Sequence, residues 1–162
     1  FEGLVFLEPD GQGRLHVETL DSSALPPLFV AIDESSSEGT EIFHSNLRER
    51  FEKREEPVME GLRRQTELAR QGRDLIRAGR GSELAALMDE NFAIRRRLTN
   101  LNPRHEKMVD VANEAGGHAK FAGSGGTILG TCEAARMAAV LAHLRAHGYR
   151  AFQPAIRDPR RS

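Results

Sequence analysis

The chain has 162 residues, with 23 Lys and Arg against 24 Asp and Glu, and 39% apolar residues. That length suits one domain with a sizeable core, and a net charge of −1 gives no reason to expect a nucleic-acid or membrane-surface partner. No apolar run approaches the roughly 18–20 residues that span a bilayer, and Cys132, the only cysteine, rules out an intrachain disulfide and a cysteine-built zinc site. These properties predict a soluble, cytoplasmic chain. The start, Phe1-Glu-Gly-Leu-Val-Phe-Leu7, has no basic flank or cleavage site. It reads as strand from its first residue, so the chain is expected to be cut from a longer one.

Residues 1–7 and 14–20 read as two strands joined by Pro9-Asp-Gly-Gln-Gly13. The second alternates, with Leu15, Val17 and Thr19 on one face and His16 and Glu18 on the other. A linker over Ser22 to Pro27 precedes Leu28-Phe-Val-Ala-Ile32, a short apolar run typical of a buried strand. A polar loop, Asp33 to Gly39, follows. From Phe43 to Arg80 the pattern is helical, with a break near Pro57, and Gly79 and Gly81 close it. Ser82 is the expected N-cap of the next helix.

That helix, Ser82 to Leu98, carries the most informative arithmetic. At 100° per residue from Leu84, Leu87, Met88 and Leu98 form an apolar stripe, and Asn91 and Arg95 fall in its middle. A charge within an apolar stripe needs a partner or a ligand. An internal ion pair, an arginine that snorkels out to solvent, or a cleft into which Asn91 and Arg95 reach meets that need. Asn102-Pro103 opens a further helix, and Gly116-Gly117 ends it. His105 and His118 are expected in surface or capping roles, and Cys132 as a buried structural thiol. An amphipathic helix over Glu133–His147 precedes a last strand over Tyr149–Ile156. The interleaving of helices with an opening hairpin argues for an α+β fold with antiparallel pairing.

Gly123-Ser-Gly-Gly126 lies between Ala119-Lys-Phe121 and the apolar Thr127-Ile-Leu129. Its amide groups and the Ser124 hydroxyl can form an anion-binding nest, with Lys120 adding charge; a tight turn between packed elements is the plainer alternative. The loop is neither a Walker loop nor a dinucleotide fingerprint. Ala119-Lys-Phe-Ala-Gly-Ser-Gly-Gly-Thr-Ile128 resembles the third, C-terminal motif of the GHMP kinase superfamily, roughly Ala-Lys-x-Ser/Thr-Gly-Ala/Ser-Gly-Gly before an apolar strand. Leu87 to Arg97, the helix Lys107 to Ala112, Leu25 to Val30 and His44 to Arg48 are similar to the glucuronokinase-like branch of those sugar kinases. Phe1 to Phe6 resembles the strand after the nucleotide-binding segment.

The resemblance covers nearly the whole chain and implies one half of an enzyme. The family's phosphate-binding loop, Pro-x-x-x-Gly-Leu-Gly-Ser-Ser-Ala, does not occur here, and its catalytic aspartate belongs to the missing half, so no catalytic residue and no metal ligand is assigned to this chain. The implied organisation is residues 1–20 as strands ending the nucleotide-binding half, 21–156 as a ferredoxin-like C-terminal domain of α+β build, and 157–162 as a tail. The implied cofactors are ATP and Mg²⁺. The implied partners are the N-terminal half and a sugar or uronic acid, and an isolated half is expected to associate with the other half or with itself as a homodimer. Arg95 is the leading substrate contact, since a planar guanidinium suits a uronate carboxylate. Asn91, Arg96, His44 and Ser45 are further substrate-binding candidates. Lys120, Gly123, Ser124, Gly125 and Gly126 would support the phosphates, although Ala122 stands where the family commonly has Ser or Thr. The competing reading is a non-catalytic ligand-binding or protein-interaction module on the same fold.

Overall fold

A computed structural model describes residues 3–35 and 41–156, with the backbone alone described over 41–46. Six strands and five α-helices are described. Strands β1 (Leu4–Pro9) and β2 (Leu15–Leu20) form an antiparallel hairpin. Strand β3 (Leu28–Ile32) is followed by four helices: α1 (Glu41–Glu52), α2 (Glu56–Arg77), α3 (Leu84–Leu98) and α4 (Pro103–Glu114). Then come β4 (His118–Phe121), β5 (Thr127–Thr131), α5 (Met137–Ala146) and β6 (Arg150–Phe152).

The second sheet has the order β4-β5-β3-β6, and every pair is antiparallel. With its helical crossovers this is the split βαβ, ferredoxin-like arrangement that the sequence leads one to expect. Alternation along the central strands explains the burial: Phe29 and Ala31 of β3 and Ile128 of β5 are fully buried on one face. That face meets Met108, Val111 and Ala112 of α4 and Val140 and Leu144 of α5 in the main core. Cys132 lies in the same core as a free thiol, and burial pushes its pKa up, which suits a packing role. A smaller cluster, Val58 and Leu68 with Ile94 and Leu98, holds α2 against α3.

Two local expectations differ from the structure. Ser82 does not cap α3: Gly81–Glu83 forms a 3-10 turn, and α3 starts at Leu84 without a side-chain cap. The last strand is only Arg150–Phe152, since Pro154 has no N–H to continue a ladder. In the hairpin, the face carrying Leu15 and Val17 points outward, with 52% and 38% exposure, beside Leu7 at 42%. Its opposite face is tied to α2 by ion pairs, Glu8 to Arg70 at 2.7 Å and Glu18 to Arg77 at 2.6 Å. By contrast Asn102 caps α4 as expected, its side chain accepting from the Arg104 N–H at 2.9 Å, with Pro103 in the first turn.

Two close contacts pin the sheet, one near each end of β3. Phe29 pairs with Gly130 across β3 and β5, and its ring covers Gly130 so tightly that a Cβ has no room. Asp33, just past β3 and 4% exposed, receives the Arg104 guanidinium from α4 and the Ser35 hydroxyl at 2.6 Å. Its backbone N–H donates to the Gly126 carbonyl at 2.8 Å. Burial alone would push the Asp33 carboxyl up, but the bonds from Ser35 and Arg104 together outweigh it and hold the group below its ordinary 3.8.

Gly130→Ala is expected to cost about 1–3 kcal/mol by overpacking against Phe29, read as a lower urea midpoint at an unchanged slope. Asp33→Asn tests the ion pair. Because the folded pKa is depressed, the charged form's contribution is present above 3.8 and is lost as pH falls through the lower folded value. The stability deficit of Asp33→Asn, about 1–3 kcal/mol near neutrality, is expected to narrow in urea titrations at pH 3 and below. A deficit that stays constant with pH would show that the charge contributes nothing.

Candidate functional site

The site is built where α3 lies along the edge strand β4. Asn91 and Arg95 stand one turn apart on α3, half-buried, with Met88, Phe92, Ile94 and Leu98 buried around them. The guanidinium of Arg95 sits over the Phe121 ring at 5.2 Å and reaches the Ser124 carbonyl by a long contact of 3.4 Å. Phe121 is itself packed on Phe92, ring centres 5.1 Å apart. The aromatic pair thus forms a floor that holds the arginine stem and attracts its charge.

Lys120 of β4 is also half-buried, its Nζ donating to the Phe121 carbonyl at 3.3 Å. Burial pushes its ammonium below the ordinary lysine range, and the charge of Arg95 pushes it further. Burial alone lowers Arg95. Among the described residues no carboxylate lies within ion-pair distance of either cation. Two like charges, partly out of water and close enough to repel, are relieved by an anion placed between them. The arrangement is therefore suited to a carboxylate or a phosphate.

The glycine loop forms the third wall. The Ala122 N–H donates to the Thr127 carbonyl at 3.0 Å, closing the turn between β4 and β5. Gly126 has φ +71°, and Gly125 presses against the His105 ring, where any Cβ would overlap it. His105 is buried, in contrast to the expected surface or capping role, and stands edge-on to Phe121 at 6.2 Å. The first turn of α4 therefore supports the loop from behind through His105, while Arg104 beside it holds Asp33.

The other sequence candidates separate from this group. Arg96 lies on the neighbouring face of α3, bound to Glu106 at 2.8 Å and Asp110 at 3.1 Å of α4, with its charge over the Phe92 ring. This geometry makes it a tie between two helices. His44 and Ser45 belong to α1, and their side chains lie outside the described residues. Gly123 and Ser124 occupy the loop tip, and the Ser124 carbonyl is what Arg95 meets. His118 pairs with Asp89 at 2.7 Å farther along β4. That pair borders a concavity of about 680 Å³ whose lining mixes Arg80 with Asp74, Glu83 and Asp89, so it offers no net attraction for an anion.

Sequence reasoning missed Asp33, Arg104 and the structural part of His105. The signal for Asp33 was present, an acid directly after a buried strand, but its partner lies 71 residues away. Near the loop Asp33 is the acid at hand, and Arg104 and Ser35 already occupy it. The group therefore fits the anionic phosphates of a nucleotide better than it fits a divalent metal, which requires free carboxylate oxygens.

Comparison with known proteins bears on the family and the fold. Residues 73–150 match the family described as GHMP kinases C terminal. Glucuronokinase 1 of Arabidopsis thaliana is 34% identical over 116 residues, 70% of this chain and 32% of that protein. Probable glucuronokinase 2 of the same plant is 33% identical over 116 residues, 70% of this chain and 31% of its own length. The L. major mevalonate kinase, solved in complex with R-mevalonate, superposes with a TM-score of 0.74 at 17% identity, covering 96% of this chain and 50% of that one. The last match speaks to the fold alone. The chain spans about a third of the length of the curated relatives that it matches. Residues 73–150 therefore form a domain of the family described as GHMP kinases C terminal.

Proposed function

We propose that this chain is the C-terminal half of an ATP-dependent sugar kinase whose acceptor is a uronic acid. The observation that carries the reading is the convergence of Arg95 and Lys120 on the glycine loop without an acid to neutralise them among the described residues. The likeness to two glucuronokinases supports a uronate as the acceptor, since it offers the carboxylate that such a site lacks.

Within this reading Arg95 grips the uronate carboxylate with two parallel N–H donors, oriented by the Phe121 face. Asn91, one turn earlier, holds sugar hydroxyls. Lys120 and the amides of Gly123, Ser124, Gly125 and Gly126 stand on the phosphate side, where transfer depends on positioning and on charge stabilisation. ATP brings the phosphoryl group and Mg²⁺ its charge screening. Residues Lys120 to Gly126 fit the nucleotide's oxygens, and the Mg²⁺ ligands are assigned to the other half. That half would supply the phosphate-binding loop, and the open apolar face of β1 and β2, with Leu7, Leu15 and Val17, is where it would continue the fold. A chain without it is inactive, and catalysis occurs in the cytoplasm.

The test uses the polypeptide extended by its upstream coding region, assayed with glucuronate and with neutral sugars. Arg95→Ala is expected to raise KM for glucuronate about ten- to hundredfold, the worth of one charged hydrogen-bonded contact, and to leave KM for ATP unchanged. Lys120→Ala is expected to act on the ATP side. Equal loss for uronate and neutral sugars on Arg95→Ala would remove the carboxylate assignment. No turnover by the extended form with any sugar would leave a non-catalytic binding module as the better account.

A further inference from the structure

At the end of α4 remote from the glycine loop, three ligating side chains come together that play no part in the site above. Glu114 ends α4, His143 lies in the last turn of α5, and His147, four residues on, is its C-cap. One donor atom from each lies within 4.8 Å of the other two, the one Glu/His group of that kind among the described residues. The His143 Nε2 faces the Glu114 carboxylate at 3.5 Å, and the two imidazole rings are 4.6 Å apart.

We propose that Glu114, His143 and His147 form a surface site for a divalent transition-metal ion, with Zn²⁺ as the ion that its donors fit. Two imidazoles at i and i+4 lie on one helix face, the spacing by which a single helix chelates zinc. The second observation concerns the tautomer. His147 Nδ1 lies 2.9 Å from the His143 backbone carbonyl, which can only accept, so Nδ1 carries the proton and Nε2 keeps its lone pair. Metal-binding histidines are commonly held in this way, by a carbonyl on the nitrogen that does not ligate.

Tetrahedral zinc brings its ligand atoms roughly 3.3 Å apart, given metal–ligand distances near 2.0 Å. The observed atoms, within 4.8 Å of one another, need to close by at most about 1.5 Å, within reach of side chains turning about their own torsions. Water completes the coordination, since the protein supplies three donors. Two of the three are nitrogens, which excludes Mg²⁺ and Ca²⁺ as good occupants, because both demand oxygen. The site therefore discriminates against the cation that a kinase uses with ATP.

One neighbour opposes the metal. The Lys107 ammonium binds Glu114 at 3.1 Å and must leave when the ion arrives. Arg145, two residues after His143, is engaged by two bonds to the Ala151 carbonyl, at 2.9 and 2.7 Å. Bound metal would clamp the end of α4 to the end of α5 across their shared core face.

The experiment is calorimetric titration of ZnCl₂ into the metal-stripped 162-residue chain, in buffer with millimolar Mg²⁺. One equivalent is expected to bind with a dissociation constant in the low micromolar range despite the Mg²⁺. His147→Gln and Glu114→Gln, both at the surface and checked for fold by circular dichroism, are each expected to weaken binding at least about tenfold. Lys107→Met is expected to tighten it. No saturable binding in that range would overturn the proposal, and so would a zinc site that both substitutions leave unchanged.

Discussion

The structure turns on the Asp33 carboxylate. It is buried where β3 ends, and a buried carboxylate is tolerated only when its oxygens are bonded and its charge is countered. Meeting that demand recruits Arg104 from the first turn of α4 and Ser35 from the loop, while the Asp33 N–H takes the Gly126 carbonyl. Strand, helix and glycine loop, far apart in sequence, are thereby fixed to one point. With Arg104 held there, His105 next to it is carried under Gly125, and the loop has one place to lie.

The same economy explains why the two cations at the site stand out. Many arginines elsewhere among the described residues find acids: Arg64 meets Glu90, Arg70 meets Glu8, and Arg96 meets Glu106 and Asp110. Such exposed pairs contribute little each. They do show that the sequence supplies acids freely where an arginine has only to be solvated or tied down. Arg95 is given an aromatic floor and a carbonyl instead, and it shares its space with Lys120. On the proposed reading, that charge is reserved for an anion that arrives from outside.

Much of the fold was legible because its signals are local. The Asn102-Pro103 cap, the apolar run of β3, the break before Pro57 and the glycines between β4 and β5 each act over a few residues, and each is realised. The helical wheel of α3 placed Asn91 and Arg95 correctly because burial on that helix follows its period. What could not be read depends on distance. The hairpin's alternation says which residues share a face, yet only the ion pairs to α2 decide which face is covered. His105 looks like a surface histidine until the loop 20 residues later folds over it. Likewise the His143–His147 spacing is visible once α5 is granted as a helix, but Glu114 joins it only through the packing of α4 on α5.

The family assignment rests on residues 73–150, and the chemistry rests on the small group around Arg95 and Lys120. The most direct test of the central claim is ATP consumption by the chain with and without its upstream coding region, against glucuronate and a panel of neutral sugars. The account requires turnover from the longer form only, with glucuronate preferred. Turnover by the 162-residue chain alone, or a neutral sugar preferred over the uronate, would contradict it.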